Sequence, residues 1–165
     1  MFTKSIIFII KEGSTVKLST RGRYGTRALL ELALHPESGP FLLKDIASKQ
    51  SISQRYLEHV IRPLVAGGIL RSVRGAGGGV ALARAPKDIR LGEIIRLLEG
   101  PVAPTDCVLD GGICTRSATC ATRDIWCEVS DAINDVLDSV TLGDLAERQK
   151  IKGMPGDIFD SEVVC

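Results

Sequence analysis

Three stretches of helical periodicity, two short β-type runs around a glycine-rich loop, and a longer helical stripe beyond a cysteine-rich segment predict a mainly α chain with a small β-hairpin wing. Three helices followed by a hairpin make a winged helix-turn-helix, and the later stripe adds a long helix suited to dimerisation. The 165 residues suffice for one domain with a real core, and 44% hydrophobic against 25% charged residues places the chain with globular proteins rather than disordered or membrane ones. With aromatics at 4%, Ile, Leu and Val must build that core.

The first helix starts after Ser19 and Thr20, either of which can cap it by accepting backbone N–H bonds, and Tyr24, Ala28, Leu29, Leu32 and Ala33 share one face. Pro36 and Gly39-Pro40 end it. A short second helix over Leu43–Lys49 buries Leu43, Ile46 and Ala47 and exposes Lys44, Asp45 and Lys49. The third begins at Ser51 or Ser53, and Ser51 with Gln54 has the spacing of a capping box. Its apolar side is Leu57, Val60, Ile61 and Leu64; its polar face is Gln54, Arg55, Glu58, His59 and Arg62. Pro63 predicts a kink or an early end before Gly67-Gly68, because proline removes one helical hydrogen bond and crowds the carbonyl four residues back.

Ile69–Val73 and Val80–Ala83 then read as the strands of a hairpin joined by Arg74-Gly75-Ala76-Gly77-Gly78-Gly79. Pro86 breaks the chain, and Leu91–Leu98 resumes as a helix with Ile94, Ile95, Leu97 and Leu98 available for packing. Pro101, Pro104 and Gly111-Gly112 mark an irregular segment. The long helix runs from about Ala121 to Val140, with Ile125, Val129, Ala132, Ile133, Val136 and Val140 on one face. Such a stripe needs a partner surface, and a second copy is expected because helix-turn-helix proteins commonly bind as two-fold dimers. The chain therefore divides into an N-terminal extension (1–16), a winged helix-turn-helix (17–100), a cysteine-rich loop (101–120), a dimerisation helix with a short following helix (121–150) and a flexible tail (151–165).

The net charge of +1 conceals an asymmetry: residues 17–100 carry 14 Lys and Arg against 7 Asp and Glu, and residues 101–165 carry 5 against 12. The first part suits a polyanion such as double-stranded DNA, and the acidic part stays away from phosphate. Ile6–Ile10 is too short for a secretory signal core, and Lys11 and Glu12 follow where a cleavage site would stand. No stretch approaches the roughly eighteen apolar residues of a membrane span. A cytoplasmic location without a membrane partner is expected, and there clustered thiols are more often metal-binding or redox-active than disulfide-bonded.

Gln54 and Arg55 fall in the first turn of the recognition helix, where Arg pairs well with guanine, Gln with adenine, and Glu58 with a cytosine amino group. A solvated helix face explains the same residues. Arg71, Arg74 and the loop glycines Gly75, Gly77 and Gly78 favour DNA, since an arginine at a hairpin tip can enter an adjacent groove and glycines allow close backbone approach. A nucleotide-binding loop fails, because the glycine run lacks the Lys and Ser or Thr of a phosphate loop and a strand follows it.

Cys107, Cys114, Cys120 and Cys127 are separated by six, five and six residues. The lack of a C-x-x-C pair argues against thioredoxin chemistry and most zinc ribbons or fingers. Soft thiolates suit iron–sulfur clusters as well as zinc, redox thiols fit the spacing too, and a helix N-terminus near Cys120 would favour its thiolate. No nucleophile–base pair stands out: His35 is a helix-end residue and His59 a surface one, so an enzyme is not expected.

With these residues in view the chain resembles the IscR and NsrR type of bacterial winged-helix regulators. The likeness runs from Lys17-Leu18-Ser19-Thr20-Arg21-Gly22-Arg23-Tyr24 through Tyr56-Leu57-Glu58, the wing Ser72–Gly79, Leu91-Gly92-Glu93-Ile94-Ile95 and the cysteine loop to Thr141-Leu142-Gly143-Asp144-Leu145, about four fifths of the chain. It implies a homodimeric transcription regulator in which Cys107, Cys114 and Cys120 bind a two-iron or four-iron cluster whose state controls DNA affinity or promoter choice. It also implies that Glu58, Arg74 and the wing glycines lie near DNA; Arg21, Arg23 and Tyr24 complete the expected DNA-facing set. The IscR branch has a histidine ligand three residues after the third cysteine, but Arg123 stands there, and a guanidinium cannot ligate. The fourth ligand is open between Cys127, a carboxylate and the Arg21–Tyr24 neighbourhood across a dimer. Because the likeness begins at Lys17, Met1–Val16 reads as an over-long gene start.

The expected function is a cytoplasmic DNA-binding regulator sensing cluster supply, nitric oxide or redox state. The alternatives are a cluster-free thiol switch or sulfur-metabolism repressor of the same fold and, from another class, a small iron–sulfur electron carrier.

Overall fold

Ser19 opens helix α1 (Thr20–Leu34), its Oγ accepting from the backbone N–H of Arg21 at 3.1 Å and of Gly22 at 3.3 Å. The structure is a computed structural model that describes residues 18–36, 39–75 and 77–153. The expectations for Met1–Val16 and for the tail beyond Gly153 lie outside the described residues.

Helix α2 (Leu43–Lys49) matches its expected span, and α3 (Gln54–Ala66) follows with two differences. Ser53 is the N-cap, accepting from Tyr56 N–H at 3.2 Å, so the capping box expected of Ser51 and Gln54 does not form. Ser51 instead takes the left-handed conformation at φ 54° while the chain reverses after α2. The connection is too short for Ser51 to serve both the turn and the next helix. Nor does Pro63 stop α3, which continues to Ala66. Leu57, Val60, Ile61 and Leu64 are each at most 5% exposed, and burying one such side chain stabilises by about 1.5–3 kcal/mol. Four of them outweigh the roughly 3 kcal/mol cost of one interior proline.

Strands β1 (Leu70–Val73) and β2 (Gly79–Leu82) form the hairpin, with Leu70 opposite Leu82 and Val73 opposite Gly79. Phe41 ties the hairpin to the body by exchanging backbone hydrogen bonds of 2.8 and 2.9 Å with Val80. Gly79 is needed there, because a Cβ would stand 2.1 Å from the Phe41 carbonyl oxygen. At the tip Gly75 and Gly77 have φ of 102° and 81°, backbone that side chains disfavour.

Helix α4 (Leu91–Glu99) packs across α1 so closely that a Cβ on Gly25 would lie 2.3 Å from Leu98 Cδ1. The segment expected to be irregular contains one helical turn, α5 (Asp106–Leu109), and single 3-10 turns at Gly111–Ile113 and Ser117–Thr119. Helix α6 (Ala121–Ser139) and helix α7 (Leu142–Lys152) follow, so the last helix passes the boundary expected at residue 150. A full capping box starts α7: Thr141 Oγ1 accepts from Asp144 N–H at 3.1 Å, and Asp144 Oδ2 accepts from Thr141 N–H at 2.8 Å.

One core joins α1, α2, α3, the hairpin, α4 and α7 through Leu29, Ile46, Leu57, Leu64, Ile69, Ile89, Ile94 and Leu142. Helix α6 stands largely outside it. Its C-terminal end is pinned by Leu91 N–H to the Val140 carbonyl at 2.9 Å and by the Arg96–Asp138 ion pair at 2.7 Å. Along α6 only Ser130 is buried, while Ile125 is 54%, Trp126 42% and Val136 64% exposed. The apolar stripe anticipated from the sequence is therefore largely open to solvent in the single chain.

Candidate functional site

Helix α3 carries the polar residues expected to read DNA. Gln54 and Arg55 are exposed in the first turn of α3, with His59 and Arg62 exposed beyond them, while Glu58 is half-buried. Gln54 Nε2 donates to Glu58 Oε1 at 3.1 Å, so these two side chains form a pair in the free chain. The start of α1 is fastened to this turn by aromatic contact: the Tyr24 and Tyr56 rings meet edge to face with centroids 6.1 Å apart. Arg23 lies over the Tyr24 ring, its guanidinium carbon 6.0 Å from the centroid, a cation–π geometry. Arg21 and Arg23 are exposed. The wing residues Arg71, Arg74, Gly75 and Gly77 are also exposed, and Gly78 N–H closes the tip on the Gly75 carbonyl at 2.9 Å. A Cβ on Gly78 would meet the Val73 carbonyl oxygen at 2.4 Å, so this glycine shapes the wing.

Glu99 was not anticipated as part of this surface. The last residue of α4, it accepts from Ser19 Oγ, from Ser19 N–H at 3.2 Å and from Gly22 N–H at 2.9 Å. A carboxylate at a helix C-terminus works against that helix but favours the N-terminus of another, and this was the available signal. A Cβ on Gly22 would lie 2.4 Å from Glu99 Oε1, so a side chain there would displace this carboxylate from the start of α1.

The four clustered cysteines are all half-buried and none forms a disulfide. Cys107 sits on α5 with its Sγ 3.3 Å from Thr105 Oγ1. Cys114 follows the first 3-10 turn, and Cys120 is the N-cap residue of α6, its Sγ 3.1 Å from Thr122 Oγ1. The Thr122 hydroxyl, followed by backbone N–H groups at the start of α6, holds the Cys120 thiol below its ordinary value. Cys127 stands in α6, one sequence interval further on.

The main chain of this loop is well fastened. The Cys107 carbonyl accepts from Arg123 Nε at 2.8 Å, and the Cys114 carbonyl accepts from Ser117 Oγ at 2.6 Å. The Cys120 carbonyl accepts from Arg123 N–H at 3.0 Å. The side chains, however, are not gathered: among the described residues no three His, Cys, Asp or Glu groups are placed to hold a metal ion. The thiol set suits iron in chemistry and in its tied loop, without forming a closed ligand shell. Among the described residues, no helix is long and apolar enough to cross a membrane.

Comparison with known proteins agrees with this architecture. A family model described as Rrf2, iron-dependent transcriptional regulator, matches residues 18–148. The chain is 45% identical over 130 residues to the protein rrf2 of Nitratidesulfovibrio vulgaris, covering 79% of this chain and 87% of that protein. The solved structure of CymR, described as the global cysteine regulator of B. subtilis, superposes with a TM-score of 0.70 at 41% identity, over 82% of this chain and 99% of that one. The T. potens IscR structure gives a TM-score of 0.68 at 39% identity, over 87% and 96%. The electron-carrier alternative is set aside by these likenesses, and the expectation that the chain is not an enzyme agrees with them. The winged helix, the hairpin and the span of the match all lead to one assignment: the chain belongs to the Rrf2 family of transcriptional regulators.

Proposed function

We propose that the chain acts as a homodimer on double-stranded promoter DNA and that an iron–sulfur cluster held by Cys107, Cys114 and Cys120 governs its binding. The observation that carries this is the thiol loop: three half-buried, disulfide-free cysteines follow the winged domain, each with its carbonyl tied by a hydrogen bond. Thiolates are the ordinary ligands of such clusters. When bound, the cluster supplies a group that iron supply, nitric oxide and oxidants can alter. The chain supplies the thiols and the hydrogen-bonded backbone that carries them. Cys127 is the candidate fourth ligand within the chain. It lies seven residues after Cys120, roughly 10 Å along a helix, so sharing one iron would require the first turns of α6 to open.

On the DNA side, Gln54, Arg55 and Glu58 are assigned to base edges, and Arg74 with Gly75, Gly77 and Gly78 to the adjacent groove. Arg21, Arg23 and Tyr24 are assigned to the backbone beside α3. The exposure of Arg21, Arg23, Gln54, Arg55, Arg74, Gly75 and Gly77 on the basic part of the chain supports this reading.

A second reading is a cluster-free thiol regulator in the cytoplasm. It is favoured by the ungathered thiols and by the similarity to a protein described as a cysteine regulator. Anaerobic purification followed by iron and sulfide analysis with visible absorption separates the two. Coloured protein containing iron and sulfide is expected; colourless, iron-free protein that still binds a specific duplex would establish the thiol switch instead.

A further inference from the structure

We propose that Arg123 is the positioning residue of the thiol loop, a latch holding the arm that carries Cys107 against the start of α6. It occupies the chain position where the IscR resemblance places a ligand. Its own chemistry excludes ligation, and the geometry supplies a different task. From the first turn of α6 its Nε donates to the Cys107 carbonyl at 2.8 Å across 16 residues of sequence. Its Nη2 lies 3.5 Å from where a Cβ of Gly111 would stand. Ser117 Oγ lies 2.5 Å from the Gly111 carbonyl and 2.6 Å from the Cys114 carbonyl, its one proton shared between them. One guanidinium thus fastens the first cysteine, abuts the turn fastened to the second, and belongs to the helix capped by the third.

Two features separate this from an ordinary surface arginine. A cation in the first turn of a helix is disfavoured by the helix dipole, so its placement does not serve α6 itself. Among the described residues it makes no ion pair. Its charge is left beside a loop whose thiols become anionic when they ligate or ionise, and the planar, multi-donor guanidinium can hold two arms at once.

The inference rests on Cys107, Cys114 and Cys120 being the sensing thiols, but its measurement needs no metal. In reduced, metal-free full-length protein, iodoacetamide labelling is followed cysteine by cysteine by mass spectrometry, with Cys127 as the internal reference. R123A is expected to raise the Cys107 rate relative to Cys127 by about fivefold, the local opening produced by losing one hydrogen bond. R123K, which keeps a charged donor, is expected to restore most of the protection. If R123A loses helix content by circular dichroism, R123Q carries the same comparison with a shorter, neutral donor, and is expected to protect less than R123K. An unchanged Cys107 rate, or an equal rise at Cys107, Cys114, Cys120 and Cys127, overturns the latch. A colourless wild-type protein would overturn the cluster proposal and leave this result standing.

Discussion

At the scale of single residues, the surface assigned to DNA divides into groups with different consequences. Arg74 stands exposed at the wing tip, where a cation meets phosphate or an adjacent groove. Replacing it by Ala is expected to weaken binding to specific and unrelated duplexes alike and to reduce the salt slope by about 1, read by fluorescence anisotropy across a salt series. Arg55 is exposed in the first turn of α3, and Arg55→Ala is expected to cost about 1–3 kcal/mol and to relax preference at one base pair. If Arg55→Ala weakens all sequences equally, its assignment to a base edge is wrong. These exposed positions were legible in the sequence, because helical periodicity leaves polar residues outside once the apolar side is known. The Gln54–Glu58 pair was not named beforehand, although four-residue spacing permits it.

At the scale of elements, two glycines mark close approaches between neighbouring elements. Gly79→Ala places a Cβ against the Phe41 carbonyl and forces β2 away from its tether. The expected result is a lower melting temperature and a loss of specific duplex binding, read by thermal denaturation and fluorescence anisotropy. Gly92 instead leaves room for a side chain between α4 and α6: a Cβ there would lie 2.0 Å from Asp138 Oδ1 and press on its pairing with Arg96. Asp138 is held below its ordinary carboxyl value of 3.8, first by its hydrogen bond from Arg96. A depressed carboxyl stabilises the fold above its unfolded value, and that contribution disappears as pH falls through the lower folded value. Because both partners are 42% exposed, Asp138→Asn is expected to cost only about 0–1 kcal/mol at neutral pH. The difference from wild type should vanish in acid, as followed by urea denaturation at a series of pH values. The helix boundaries show how local and tertiary signals compete: Ser51 carried a capping spacing yet serves a turn, and Pro63 carried a stop signal yet lies under a fully packed face.

At the scale of the whole molecule, α6 leaves the core near Val140 and carries its apolar stripe into solvent, which a second copy would cover. Replacing Ile125 and Val136 together by Asp is expected to yield a monomer by light scattering while the helical circular dichroism of the winged domain persists. A variant that remains dimeric would place the interface elsewhere. The same view explains Glu99, which joins the end of α4 to the start of α1, and Val102, whose carbonyl accepts from Ser130 Oγ and Asn134 Nδ2 of α6 at 3.3 Å. The two contacts lie three residues apart, one reaching the start of α1 and the other α6.

The sequence by itself determined the order of helices and hairpin, the basic and acidic division and the cysteine spacing, because periodicity, turn chemistry and charge are properties of neighbouring residues. Only the tertiary structure decided that Ser53 rather than Ser51 caps α3, that Glu99 caps α1 and that Arg123 ties the Cys107 arm to α6. Each of these depends on which elements come to lie side by side: burial of the shared core settles that for α1, α3 and α4, whereas α6 and the Cys107 arm lie outside the core and are joined by polar contacts between distant residues.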